Sequence, residues 1–331
     1  MSSDCFLVDT DGLGFVLARD NWDVWLGNIR GNYYSRAHNR ISPNSSEFWN
    51  YSWHDMGQKD ITAMIDYILN KTGKPQLNYI GHSMGTTMFY VMASTMPSYN
   101  KKINTMISLA PIGRMTKWNF VLNNSTYIYQ YTHDYTMKNI RQKKVEVLPR
   151  GEFKGMSKHQ ILMEDLDTYF RTTFEIVTWF VNSVTGEDIF PDGTSTRNLL
   201  HYLQNIGSGT FQRFDYGSRE RNMKAWGHEA PTPYNLNNIK APVAVFYAVA
   251  DEFASEKDAE YMISKLPNVV MKMKISAMRF GHGDFCFTTA KENLSMRRKM
   301  HASILNLLKQ RDEQSVAKKS CQNKKDCDPK S

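Results

Sequence analysis

Along this chain, short apolar runs of strand length alternate with stretches in which apolar residues recur every three or four positions. Parallel strands need helical crossovers, so the alternation predicts an α/β domain with a mostly parallel sheet. Strands are expected at 23–29 (DVWLGNI), 77–81 (LNYIG), 103–111 (INTMISLAP), 241–251 (APVAVFYAVAD) and 269–276 (VVMKMKIS). Helices are expected over 60–73, with Asp60 as cap and Gly73 as stop, from Thr86 to Thr95 before Pro97, within DEFASEKDAEYMISKL, and over 295–310.

Between Pro111 and Pro242 the strand rhythm gives way to aromatic-rich helical patterns such as MEDLDTYFRTTFEIVTWFVNSV and TSTRNLLHYLQNI. The expected division is therefore a first core part over 1–111, a helical cap or lid over 112–235, a second core part over 236–310, and a polar, disordered tail over 311–331.

Composition changes this picture little. The net charge is +8, but from residue 309 onward seven Lys/Arg stand against four Asp/Glu, so a solvated basic tail supplies part of it. No interleaving of basic and aromatic residues accompanies it, which argues against nucleic acid as a partner. No apolar run is long enough to span a membrane, and the acidic start MSSDCFLVDTD does not read as a signal peptide. Glycosylation sequons occur at Asn44, Asn50, Asn70, Asn123, Asn124 and Asn293. Cys5 and Cys286 lie in apolar surroundings and are expected as buried thiols, whereas Cys321 and Cys327 in the tail are close enough in sequence to pair. No cysteine or histidine spacing points to a metal, and no cofactor motif is present; GNIRGN at 27–32 lacks the residues of a phosphate loop, and its Arg30 reads as an ion-pair partner.

The stretch that carries chemistry is LNYIGHSMGTTMFYVMAS, residues 77–94, where an expected strand breaks at Gly-His-Ser-Met-Gly and an expected helix begins. A G-x-S-x-G sequence between strand and helix forms a sharp turn that exposes the serine. Ser83 is the candidate nucleophile, and the backbone N–H of Met84 the candidate oxyanion donor at the helix N-terminus. A serine needs a base, and an acid followed by a histidine is the expected order behind it. Asp251 lies at the end of an expected strand and His282 in RFGHGDF after the last one. An aspartate there is also an ordinary helix cap, and Glu252 and Asp258 are competing acids. His82 is expected to point away from the serine, and His228 falls in the insertion. Met88, Met92 and Met96, four apart, read as the buried face of the elbow helix.

NWDVWLGNIRGNYYSR, FWNYSWHDMGQKDITAMIDYILNKTG, GHSMGTTMFYVMAS, PDGTSTRNLLHYLQ and ADEFASEKDAEYMISKLPNV together resemble the acid lipases of animals, the lysosomal acid lipase and gastric lipase group of the α/β-hydrolase fold. The resemblance covers roughly residues 3–310. It implies Ser83 as nucleophile, Asp251 as orienting acid, His282 as general base and a cap over a lipid pocket. It further implies neutral lipid esters as substrates, a secreted or lysosomal setting, and neither calcium nor a colipase.

Three departures stand out. Met84 replaces the glutamine usual after the nucleophile, and the cysteine pair of the cap is missing from WFVNSVTGEDIFPDGTS. The resemblance also implies a preceding segment with the first strands and a His-Gly-Leu loop that supplies a second oxyanion amide. On that ground Met1 is expected not to be the start of the functional enzyme. Two other readings stay open: a non-catalytic lipid-binding relative that keeps the triad as inheritance, and acyl transfer to an alcohol instead of water.

Overall fold

The computed structural model describes residues 3–7, 10–116, 146–147, 193–288 and 290–323, with backbone alone at 146–147 and beyond 315. Helix α1 (Leu13–Arg19) is followed by α2 (Ile61–Thr72), β1 (Leu77–His82), α3 (Met84–Thr95) and β2 (Ile103–Leu109). After these come α4 (Thr196–Ser208), α5 (Arg219–Trp226), β3 (Val243–Ala248), α6 (Glu256–Lys265), β4 (Val269–Ile275) and α7 (Lys291–Asn323).

The four strands form one sheet in the order β1-β2-β3-β4, with every pair parallel. Central strand β3 is buried along its whole length, so VAVFYA is apolar throughout instead of alternating. Its alternate residues still divide between two cores. Val243, Val245 and Tyr247 pack with Trp53, Phe89 and Met92 on one face, and Ala244, Phe246 and Ala248 pack with Leu17, Phe280 and Ile304 on the other. Tyr90 Oη and Ser108 Oγ, 2.7 Å apart, satisfy each other inside the first of these.

The expected strand at 23–29 does not form: residues 22–29 run without a ladder partner among the described residues, and Trp25 and Leu26 stay exposed. An apolar run becomes a strand only when a neighbour takes its N–H and C=O groups. Here the adjoining groups go to side chains instead. Ser35 Oγ donates to Asn28 O at 3.2 Å, and Arg30 N donates to Asp60 Oδ2 at 3.1 Å.

Asp60 is correspondingly not a cap. Its carboxylate accepts from Arg30 Nε at 2.7 Å and from Nη2, which bears out Arg30 as an ion-pair partner. The helical segment starts earlier, at Trp53, where Ser52 and Asp55 form a reciprocal capping box, and it passes through a π turn over Met56–Asp60 before α2. Gly73 ends α2 in the left-handed conformation, as expected.

The closing helix runs to Asn323, beyond the expected start of the tail at 311. RDEQSVAKKSCQN contains no Gly or Pro, and extending a formed helix is far easier than starting one. Most of the expected cap over 112–235 lies outside the described residues, as does any Cys321–Cys327 pairing. Its entry is pinned where Thr116 N donates to Asp258 Oδ2 at 3.0 Å, and its return includes α4, capped by Ser195. No helix among the described residues is long and apolar enough to cross a membrane.

Candidate active site

Ser83 follows directly on β1 and serves as the residue before α3, with φ 53° and ψ −119°. A non-glycine residue held there costs about 1–3 kcal/mol, and the surrounding structure must enforce it. Ser83 N donates to Leu109 O at 3.0 Å, while Ser83 O accepts from Thr86 N at 2.8 Å and Thr86 Oγ1 at 2.6 Å. A Cβ on Gly81 would stand 2.8 Å from the backbone of Gly85, so the close approach of strand and helix requires a glycine at 81. Gly85 is different: a Cβ there meets nothing within 4 Å among the described residues.

The fold brings together Ser83, His282 and Asp251 at the C-terminal edge of the sheet. His282 Nε2 lies 2.8 Å from Ser83 Oγ, and its Nδ1 lies 2.9 Å from both Asp251 oxygens. A carboxylate only accepts, so Nδ1 carries the hydrogen and Nε2 turns its lone pair to the serine hydroxyl. Asp251 sits three residues past the end of β3 rather than within it. It is buried, and its Oδ1 also accepts from Phe253 N at 2.9 Å and Ala254 N at 2.7 Å. Ser255, not Asp251, caps α6.

The two competing acids go elsewhere. Asp258 pairs with Ser255, Thr116 and Arg114, and Glu252 Oε2 accepts from the backbone N of His282 at 3.4 Å. His228 is exposed.

Burial alone pulls the His282 pKa down, yet the charge and hydrogen bond of Asp251 outweigh it and hold the imidazole above its ordinary value. Burial likewise acts to raise the Asp251 carboxyl. The facing imidazole and the two backbone donors prevail, and its pKa ends below the usual range.

Met84 is the first residue of α3, so its N–H belongs to the opening turn, where the helix itself provides no acceptor. Above it sits the return from the insertion: Asn198 Nδ2 lies 3.2 Å from Met84 Sδ, and Tyr202 Oη donates to Thr87 Oγ1 at 3.2 Å. Met88 and Met92 are buried as expected, and Met96 lies just past the helix, half-buried.

Three features escape a reading of the sequence. Cys5 and Cys286 are joined in a disulfide, not held as thiols. At a sequence separation of 281, no local spacing announces the pair. His82, expected to point away from the serine, packs its ring against His282 with centroids 4.7 Å apart. Phe253 covers another side of His282 at 4.9 Å. A histidine directly preceding the serine was the available signal.

A family profile described as the alpha/beta hydrolase fold matches residues 11–284. Lipase 1 of Drosophila melanogaster is 33% identical over 304 residues, covering 89% of this chain and 66% of that protein. Gastric triacylglycerol lipase of Bos taurus is 33% identical over 282 residues, covering 83% and 70%. A putative lysosomal acid lipase/cholesteryl ester hydrolase of Crotalus adamanteus is 32% identical over 289 residues, covering 84% and 70%. The chain thus spans about two thirds of the length of these relatives.

Proposed function

The chain belongs to the α/β-hydrolase fold family, among the gastric and lysosomal acid lipases, and on that premise we propose that it hydrolyses neutral lipid esters through an acyl-enzyme on Ser83. The observation that carries this reading is the unbroken relay from Asp251 to His282 to Ser83 on a positive-φ elbow.

Ser83 Oγ attacks the ester carbonyl carbon while His282 Nε2 takes its proton, a step in which a positioned base contributes about 10²–10⁴ in rate. The negative oxygen of the tetrahedral intermediate faces the Met84 N–H and the positive end of α3. Collapse returns the proton from His282 to the departing alcohol and leaves the acyl group on Ser83. Water repeats the sequence, His282 again accepting a proton, and releases the fatty acid with Ser83 restored. Asp251 fixes the tautomer and stabilises the imidazolium.

Triacylglycerols and sterol esters are the substrate classes that the relatives' names suggest for this chain. A secreted or lysosomal setting suits the Cys5–Cys286 disulfide, since such bonds persist in oxidising compartments. Glycans in that setting fall on Asn44 and Asn70, which are exposed. Asn293 is excluded, because its buried amide nitrogen donates to Arg279 O at 2.8 Å and Asp284 Oδ1 at 3.0 Å.

The test is labelling with a fluorophosphonate followed by hydrolysis assays on triacylglycerol and sterol ester. Ser83 should be labelled, and Ser83→Ala should lose both labelling and turnover, by at least about 10³-fold. Folded protein whose Ser83 resists the probe would instead be a non-catalytic lipid-binding relative. Ester products formed on adding an alcohol would point to acyl transfer.

A further inference from the structure

We propose that His82 is a positioning residue for the general base, gripping the backbone of His282 through a fixed neutral tautomer and so setting the distance from base to nucleophile. The proposal rests on the reading of Ser83 and His282 as nucleophile and base.

His82 is the last residue of β1 and is 4% exposed. Its Nε2 lies 3.0 Å from the carbonyl oxygen of His282. A carbonyl only accepts, so Nε2 must carry the hydrogen, and Nδ1 is left with its lone pair. That Nδ1 faces the disulfide, 3.3 Å from Cys286 Sγ and 3.7 Å from Cys5 Sγ. Disulfide sulfurs are much weaker acceptors than a carbonyl oxygen, so the His282 carbonyl decides the tautomer. Cys5, His82 and Cys286 bring three ligand-type atoms within 4.8 Å of one another, but the sulfurs are bonded together and neither is a thiolate able to hold a metal.

Burial first, and then the positive charge that develops on His282, push the His82 pKa down to about 3. Its ring therefore stays neutral while the neighbouring ring takes up and releases a proton. A protonated His82 would place a second positive charge against the base, with ring centroids 4.7 Å apart.

The arrangement ties the two reacting groups through the backbone. His82 precedes Ser83 in the chain, so the strand that delivers the nucleophile also anchors the main chain of its base. The opposite side of that main chain is held by Glu252 at His282 N, and the turn ends at Cys286, whose sulfur joins Cys5 and whose carbonyl accepts from buried Arg297 at 2.8 Å. Displacing a reacting group by about 1 Å can cost 10²-fold in rate, so a grip on His282 has kinetic leverage.

The experiment compares the full chain with His82→Leu and His82→Gln. The amide nitrogen of Gln reaches nearly where Nε2 does and can donate to the same carbonyl; Leu fills space without donating. His82→Leu should lower the rate of fluorophosphonate labelling of Ser83, and kcat on a soluble short-chain ester, by about 10- to 100-fold with KM held. His82→Gln should recover most of that loss, with thermal melts verifying that both variants fold. Equal losses in the two variants, or a wild-type labelling rate in His82→Leu, would overturn the proposal while leaving the serine-hydrolase reading intact. Wild-type Ser83 that is never labelled would sink that reading and this one with it. Imidazole ¹⁵N spectra of the wild-type chain give a check independent of the variants: His82 should show a protonated Nε2 and bare Nδ1, and the opposite tautomer would refute the grip.

Discussion

Ser83 Oγ and His282 Nε2 lie 2.8 Å apart although the two residues are 199 positions apart in sequence. The parallel sheet makes this possible by delivering β1 and β4 with their C-terminal ends on the same edge. On the function proposed above, the hydroxyl is reactive only while the imidazole is neutral, which fixes a dependence on pH.

Because Asp251 holds the His282 pKa above its ordinary value of 6.5, the acidic limb of kcat/KM should have its midpoint above 6.5, with activity falling as pH falls through it. Asp251→Asn removes the charge that opposes burial, so the limb should move to lower pH while the plateau drops by about 10²–10⁴. A pH–rate profile of both proteins on a soluble ester measures the two effects. An unmoved limb in Asp251→Asn would contradict this account of the pair.

The two glycines of the elbow should differ sharply. Gly81→Ala drives a methyl into the backbone of Gly85 and should destabilise the fold by about 1–3 kcal/mol. Gly85→Ala lies in the first turn of α3 with open space around it among the described residues, and should stay within about 1 kcal/mol of wild type or gain slightly. Urea unfolding of the two variants reads the difference.

Removing the carboxylate of Asp60 strands Arg30, which is buried enough to need it. Side-chain exposure is 35% for Arg30 and 8% for Asp60, so solvent recovers part of the loss. Asp60→Ala should cost about 1–3 kcal/mol in chemical unfolding. The loss should exceed that of Lys59→Ala, whose pairing with Asp55 at 3.1 Å is exposed.

His54 should make the fold sensitive to acid. Burial pushes its pKa down to about 4, and its Nδ1 lies 2.7 Å from Tyr234 Oη. Above pH 6.5 the ring is neutral in both folded and unfolded chain, so it contributes no pH dependence. As pH falls from 6.5 towards 4, only the unfolded chain takes up the proton, and stability falls by on the order of 3 kcal/mol from this group. His54→Gln should flatten the stability slope in that window by about one proton, as measured by unfolding at a series of pH values. An unchanged slope would show that the ring protonates freely in the folded protein.

The elements most legible in the sequence were those whose signal is local. Strand, turn and helix at 77–95 announce themselves through LNYIG, the two glycines and a helix stopped before Pro97. The order of serine, acid and histidine pointed to the three residues that the fold gathers. Where the decisive partner is distant, the same reasoning falters. Asp60 looked like a cap because its neighbours are helical, but Arg30 claims its carboxylate from 30 residues away. DVWLGNI has strand composition, yet pairing is a property of two segments. The capping box from Ser52 to Asp55 was readable from its spacing and was overshadowed by the aspartate at 60.

The disulfide between Cys5 and Cys286 joins the part of the chain that carries Ser83 to the part that carries Asp251 and His282. Its consequence concerns covalent topology. A protease cut anywhere between 116 and 193 would divide the backbone between Ser83 and His282 without releasing either piece. The nicked protein should migrate as one species on a non-reducing gel and as two after reduction, and before reduction Ser83, Asp251 and His282 stay tethered in a single molecule.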